Sequence, residues 1–403
     1  MGRVASLDAA WPGAIRHGVD LFASDGLHVP LYRGRRGQPD RWHDAAKPGG
    51  GVAHSGRCLC VWWVPKYFNC RAPYAAMSSH LTSILVTGAT GFLGRHVLRR
   101  LVGAPGVGRL VLATRGRASP RNDDSEQLEY ATVDLMQAVT LPSGIHTVIH
   151  IAGEKRDESR MDAVNHQGTR RLVEAAARAG VRRFVYVSSV GVYGASPHSG
   201  WVNESFPHTP RNRYEASKDA GEKCVREICA GAGMDSVILQ PSNVIGLMPN
   251  QPRPLLGLMK MVRSGYFTWF GAAKPWVNYV AVEDVAAALV AAAVHTSAGH
   301  DYIINTPAQL SRLVGWIAEE LGVPVPSRRL PLWVGEAAAT LGSLTTRVSG
   351  RNLPINRERF LELTNTTQYD SSHLMKDLAF EYPVGVEVLI RGLARSYRQD
   401  GLL

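Results

Sequence analysis

The sequence predicts an α/β protein: a doubly wound parallel sheet with a smaller, discontinuous C-terminal domain. Three observations carry this. Short, nearly all-apolar runs recur between residues 83 and 240, most of them followed by a helix-length pattern. Strands buried on both faces read this way, and the helices between them supply the two covering layers. A glycine triplet at G-x-x-G-x-x-G spacing, Gly88, Gly91 and Gly94, separates the first apolar run from the first helix pattern. After Pro241 the alternation breaks, and proline-interrupted helix patterns fill most of residues 307–390.

In chain order, residues 1–76 contain no Glu and no Thr and show neither a strand nor a helix period. They are expected to form a poorly ordered leader. Met77 stands seven residues before the first strand residue, Ile84, so the folded chain is expected to start there, with 1–76 a translated upstream region. Residues 77–244 then make the first domain. Its strands are Ile84–Val86, Arg109–Thr114, Thr147–Ile151, Arg183–Ser188 and Asp235–Gln240. Its helices include Val164–Ala179, where Leu172, Ala175 and Ala176 share a face, and Tyr214–Ala230. Residues 245–403 make the second domain, except that 277–305, a strand and helix over Val277–Ala293 and a strand over Tyr302–Asn305, return to the large sheet.

Composition excludes several classes. Of the net charge of +11, the first 80 residues contribute ten Lys/Arg against five Asp/Glu, leaving the folded part only mildly basic. No basic-aromatic cluster suited to stacking bases is present, so nucleic acid is not an expected partner. No apolar run reaches the ~20 residues of a membrane span. Cys58, Cys60, Cys70, Cys224 and Cys229 form neither a zinc-ligand pattern nor an even disulfide framework. A reducing, cytoplasmic setting and a metal-free site are expected.

The glycine triplet is chemistry as well as geometry. Gly88 permits a tight turn off the strand, Gly91 lets a pyrophosphate approach bare backbone, and Gly94 lets the helix pack closely. Thr90, Phe92 and Leu93 complete this cofactor-binding turn, and the helix N-terminus aims unpaired N–H groups at phosphate oxygens. Tyr214 and Lys218 stand one turn apart on one helix face. An ammonium beside a phenol favours the phenolate and makes Tyr214 a candidate general acid/base; by itself, Y-x-x-x-K equally describes a solvated helix face. Ser188 and Ser189 at a strand end offer a hydroxyl for a substrate carbonyl.

Together these segments resemble the extended short-chain dehydrogenase/reductases, including the nucleotide-sugar epimerases and dehydratases. The likeness runs from about Ser83 to Arg398. It is carried by Thr87–Gly94, Val133-Asp134-Leu135, His150–Gly153, Val164–Thr169, Val187–Gly194, Tyr214–Lys218, Gln240–Gly246, and Asn278-Tyr279-Val280 ahead of Glu283-Asp284-Val285. The resemblance implies a Rossmann domain. It also implies that Ser189 polarises the substrate oxygen, that Tyr214 transfers the proton, and that Lys218 tunes Tyr214 and holds the nicotinamide ribose. Asp134 would take the adenine amino group, Leu135 and Ala152 would line the cofactor, and Asn165 would support the strand-to-helix geometry. Ser188 and Asn243 would face substrate. A homodimer through two exposed helix faces is common in such proteins.

The second strand runs into Thr114-Arg115-Gly116-Arg117, and no Asp or Glu occurs between Gly103 and Asn122. A carboxylate there would bind a ribose 2′-OH, whereas guanidiniums pair with a 2′-phosphate. NADP(H) is therefore expected over NAD(H). For substrate, the chain departs from the nucleotide-sugar pattern. Val277 and Gln240 stand where those enzymes usually carry arginines, and Lys260, Arg263, Lys274 or Arg351 would have to replace the charge. Trp269, Phe270 and Trp276 suit either an apolar pocket or a core. The expected reaction is alcohol–ketone interconversion on a nucleotide-activated sugar, as a 4-epimerase or 4-keto reductase. The alternatives are an enzyme like 3β-hydroxysteroid dehydrogenase or dihydroflavonol reductase acting on an apolar alcohol, and a nucleotide-binding structural protein without catalysis.

Overall fold

A computed structural model describes residues 82–116, 128–197, 199–247, 253–271, 274–295, 300–349 and 357–403. The leader, Met77, Cys58, Cys60, Cys70, Arg117 and Arg351 lie outside the described residues. The chain opens with β1 (Thr82–Thr87), α1 (Phe92–Leu101), β2 (Val107–Thr114), β3 (Leu128–Thr132) and β4 (Thr147–His150). A continuous helical stretch follows: α2 (Glu158–Met161), a π-helical segment over Asp162–Gly168, and α3 (Thr169–Arg178). Then come β5 (Arg183–Val187), a 3₁₀ turn over Val190–Tyr193, β6 (Trp201–Val202), α4 (Arg213–Ala232) and β7 (Asp235–Pro241).

Seven parallel strands form the large sheet. Its order is β3-β2-β1-β4-β5-β7, closed at the far edge by β11 (Asp301–Ile304). The chain builds outward from β1 in one direction and then, from β4, in the other. Ligands bind at the carboxyl edge of such a reversal because the two flanking connections diverge there. Alternation along β1 explains both faces. Ile84 and Val86 enter one apolar cluster, shared with Val97 of α1 and with Val285 and Leu289 of α6 (Val282–Val294). Leu85 enters the opposite cluster, with Leu172 and Val173 of α3 and Val225 of α4. Burial on both sides accounts for the wholly apolar run Ile84–Val86 within β1.

The remaining elements pack around or beside a third cluster. They are β8 (Asn243–Ile245), α5 (Leu256–Arg263), β9 (Trp269–Phe270), β10 (Trp276–Ala281), β12 (Thr306–Gln309), α7 (Leu310–Leu321) and β13 (Arg329–Leu330). After these come α8 (Leu332–Ser349), α9 (Arg357–Thr364), β14 (Gln368–Tyr369), α10 (Ser372–Asp377) and α11 (Gly385–Gln399). Of the segment 277–305, α6 and β11 join the large sheet, but β10 does not. It pairs with β8 and β12 in a separate three-stranded sheet. Asn278 holds it there: its Nδ2 donates to Thr367 O at 2.9 Å and its Oδ1 accepts from Asn305 Nδ2 at 3.0 Å. Asp284 ties α6 to α11 by accepting the Val384 and Gly385 N–H groups at 2.7 and 2.9 Å. Among the described residues no helix is long and apolar enough to cross a membrane.

Candidate active site

The turn after β1 is defined by room that only hydrogen can occupy. Gly88 has φ +70°, and a Cβ there would lie 2.7 Å from Ala152 N. At Gly94 a Cβ would lie 2.1 Å from Gly88 O and 2.6 Å from Ala89 Cα. Gly94 thus brings α1 against the turn itself. Gly91 donates to Gly88 O at 3.0 Å and precedes α1, whose first turn holds no acid and no side-chain cap. Thr90 is exposed, its carbonyl taken by Arg95 Nε at 2.9 Å, while Phe92 and Leu93 are half-buried. A diphosphate fits this cradle: bare N–H groups at a helix N-terminus, with no carboxylate to repel it.

One strand over, β4 is locked to β1 by a hydrogen-bond chain. Thr169 Oγ1 donates to Asn165 O (2.7 Å), so it must accept from His150 Nε2 (3.0 Å). That leaves His150 Nδ1 bare, to accept from Thr87 Oγ1 (2.7 Å), which in turn receives the N–H groups of Ile151 and Ala152 at 3.2 Å. Burial, helped by the nearby Lys218 charge, pushes the His150 pKa down to about 3 and keeps the ring neutral. The β4 exit is then held by Asn165 in the π-helical segment. Its Oδ1 accepts Glu154 N at 2.7 Å, and its Nδ2 donates to Glu154 O at 2.8 Å and Ser217 Oγ at 3.0 Å. This single side chain links the β4 loop to α4.

Helix α4 starts where it does because of its cap. Asn212 Oδ1 accepts Glu215 N at 2.9 Å, and Glu215 Oε2 accepts Arg211 N at 2.7 Å, a near relative of the capping box. Tyr214 therefore stands in the first turn, half-buried. Ser189 is half-buried at the end of β5, and its Oγ accepts Gly191 N at 3.1 Å, leaving its own proton to donate. Lys218 is buried beneath them. Its Nζ donates to Val187 O at 2.6 Å and lies 4.1 Å from the centre of the Tyr186 ring.

Among the described residues Lys218 Nζ hydrogen-bonds the Val187 carbonyl and not the Tyr214 hydroxyl. Burial raises the Tyr214 phenol, with Glu215 adding to the rise, and drives Lys218 down to about 7. The Lys218 amine is directed at the Val187 carbonyl and at the Tyr186 ring. Ser188 is buried, and its Oγ has no hydrogen-bond partner among the described residues. Asn243 is exposed at the start of β8. Asp134 is half-buried and closes its own turn, accepting Met136 N at 2.9 Å, while Leu135 O takes Arg171 Nε at 2.9 Å. Arg115 is exposed just beyond β2.

Residue-by-residue reading missed the polar cluster behind Lys218. Glu222 is wholly buried; Gln240 Nε2 reaches its two oxygens at 3.1 and 3.2 Å, and Arg226 Nη2 reaches one at 2.6 Å. Gln240 Oε1 accepts Tyr193 OH at 2.6 Å, so the residue standing in place of an arginine is a buried bridge. The available signal was spacing: Tyr214, Lys218 and Glu222 share one helix face. Val277, in the other arginine position, is buried in the apolar cluster with Met259 and Phe267. Trp269 belongs to the same cluster, and Phe270 stacks edge-on against Phe360, so both serve packing.

Comparison with known proteins agrees with this architecture. Residues 84–305 match the sequence model of the NAD dependent epimerase/dehydratase family. An uncharacterised protein, y4nL, of Sinorhizobium fredii (strain NBRC 101917 / NGR234) is 34% identical over 284 residues, covering 64% of this chain and 79% of that one. The N-acetyl-alpha-D-glucosaminyl-diphospho-ditrans,octacis-undecaprenol 4-epimerase of Escherichia coli O157:H7 is 25% identical over 307 residues, covering 72% and 88%. The dTDP-glucose 4,6-dehydratase DesIV of Streptomyces venezuelae, solved with NAD and TYD bound, has a TM-score of 0.57 at 22% identity. That match covers 79% of this chain and 98% of the other, and it is a likeness of fold.

Proposed function

The chain belongs to the NAD dependent epimerase/dehydratase family, and we propose that it interconverts a secondary alcohol and a ketone on a nucleotide-activated sugar, as a 4-epimerase or 4-keto reductase. The observation that carries this reading is one gathering of groups. Ser189, Tyr214 and Lys218 stand around the carboxyl end of β5, joined through Ser217, Asn165 and Ala152 to the glycine turn. Gly88 to Gly94 and Lys218 would hold a nicotinamide nucleotide, with Asp134, Leu135 and Ala152 flanking it. When bound, that group supplies or accepts the hydride. Ser189 donates to the substrate oxygen. Tyr214, protonated because burial raises its phenol, delivers a proton to a ketone oxygen or recovers it from an alcohol. Asn243 is the polar group assigned to substrate.

Exposed Arg115 and a β2 exit without a carboxylate support NADP(H) over NAD(H). A cytoplasmic setting and a homodimer belong to the same reading. A second reading is favoured by Val277: an apolar side chain in an apolar cluster suits an apolar alcohol better than a diphosphate.

The test is to purify the protein without added cofactor, denature it and identify any released nucleotide. An empty protein that binds NADPH more tightly than NADH points to a reductase that exchanges cofactor at each turnover. Stoichiometric retained NAD⁺ points to epimerisation and sinks the NADP(H) preference. Tyr214→Phe is expected to lower turnover by about 10²-fold or more. Unchanged turnover would remove Tyr214 as the general acid, and turnover on hydroxysteroids but not on nucleotide sugars would select the second reading.

A further inference from the structure

Lys218 and Glu222 stand one turn apart on α4, 4% and 0% exposed. The end of β5 lies against Lys218, whose Nζ donates to Val187 O at 2.6 Å, and Glu222 follows one turn later on the same buried helix face. The titratable groups facing Lys218 are His150 on β4, Tyr186 on β5, and Tyr214 and Glu222 on α4. Three of these are neutral at pH 7: burial holds His150 near 3 and keeps both phenols above their ordinary value. Glu222 is different. The Gln240 amide and Arg226 both donate to its carboxyl, with His208 Nε2 4.0 Å away, and this donor set favours the carboxylate against the rise that burial gives it. Arg226 is itself shared with Asp301, its Nε 3.2 Å from Oδ2, and His208 is bonded to Asp219, so neither cation is committed to Glu222 alone.

We propose that Glu222 is a positioning residue whose carboxylate keeps Lys218 an ammonium anchored on the Val187 carbonyl. Gln240 makes this workable. Being neutral, it fixes the carboxylate's place without cancelling its charge, as a guanidinium at that position would. The proposal rests on the reading of Lys218 as the lysine that meets the cofactor ribose. Lowering of the Lys218 pKa by burial is opposed by Glu222, in agreement with the geometry.

The test follows the Lys218 titration directly, by NMR of full-length protein carrying ¹³Cε-lysine, with the signal assigned by its loss in Lys218→Arg. Glu222→Gln, which keeps the shape of the cluster, is expected to lower the Lys218 midpoint by about one unit. Gln240→Arg should move it the same way. Arg226→Gln should raise it, because a competing cation is gone. The pH above which NADPH affinity falls should shift with the midpoint in each variant. An unchanged midpoint in folded Glu222→Gln overturns the proposal. If that variant fails to fold, an unchanged or lowered midpoint in Arg226→Gln does so instead. A midpoint that moves while nucleotide affinity does not follow supports the electrostatic role and rejects the assignment of Lys218 to the ribose.

Discussion

The turn after β1 and the inner face of α4 stand at the same edge of the sheet, yet they are made in opposite ways. The turn consists of backbone and of side chains left out: atoms at Gly88 and Gly94 approach their neighbours to distances no Cβ allows. The α4 face consists of polar side chains taken out of water, Ser217, Lys218 and Glu222, each given a partner from another element: Asn165, the Val187 carbonyl and Gln240 of β7. A steric site fails abruptly, because packed backbone cannot yield. An electrostatic site fails by degrees, and its failures depend on pH.

The largest effect should come from breaking the steric side. Gly94→Ala forces a Cβ into the space of Gly88 O, and the listening atoms are backbone on both sides. Loss of measurable nicotinamide-nucleotide binding by calorimetry is expected, with destabilisation of at least about 1–3 kcal/mol in urea unfolding. Normal binding would show that the turn can open and that the contrast is false.

Asn165→Ala tests the link between the two regions. It strips partners from Glu154 N, Glu154 O and Ser217 Oγ together. A stability loss of about 1–3 kcal/mol is expected. Turnover should fall by about 10- to 100-fold, because Tyr214 and the β4 loop lose their common reference.

His150→Gln sharpens the electrostatic side. In the folded chain the imidazole pKa is lowered from 6.5 to about 3, so the unfolded chain takes up the proton first. Stability from this source is full above 6.5 and is lost as pH falls toward 3. Urea midpoints of the parent should therefore drop on acidification through that window more steeply than those of the variant. Equal slopes would reject a buried neutral imidazole.

The smallest effect should come from a glycine without a steric task. Gly231 lies in α4, exposed, and a Cβ there meets nothing within 4 Å. Gly231→Ala is expected to raise stability by about 0.5–1 kcal/mol with unchanged nucleotide binding, measured by the same urea unfolding and calorimetry. Set beside Gly94→Ala, it separates glycine as geometry from glycine as composition.

The sequence by itself determined the sheet and the turn. Ile84 to Val86 reads as a strand buried on both sides, and the triplet between it and a helix pattern as a binding turn, because local sterics and periodicity act over a few residues. Much of the α4 face was legible too, since Tyr214 and Lys218, four residues apart in a helix pattern, share one face. Tertiary structure alone decided where the charges act. Lys218 meets the Val187 carbonyl and the Tyr186 ring, Glu222 is closed on by Gln240 and Arg226, and β10 leaves the large sheet for a small one. Gln240 reads as a lost arginine until Tyr193 and Glu222, distant in sequence, close on it from both sides. The physical reason is range: a strand or a cap is fixed by its own neighbours, whereas the state of a buried charge depends on every group the fold brings within a few ångströms of it.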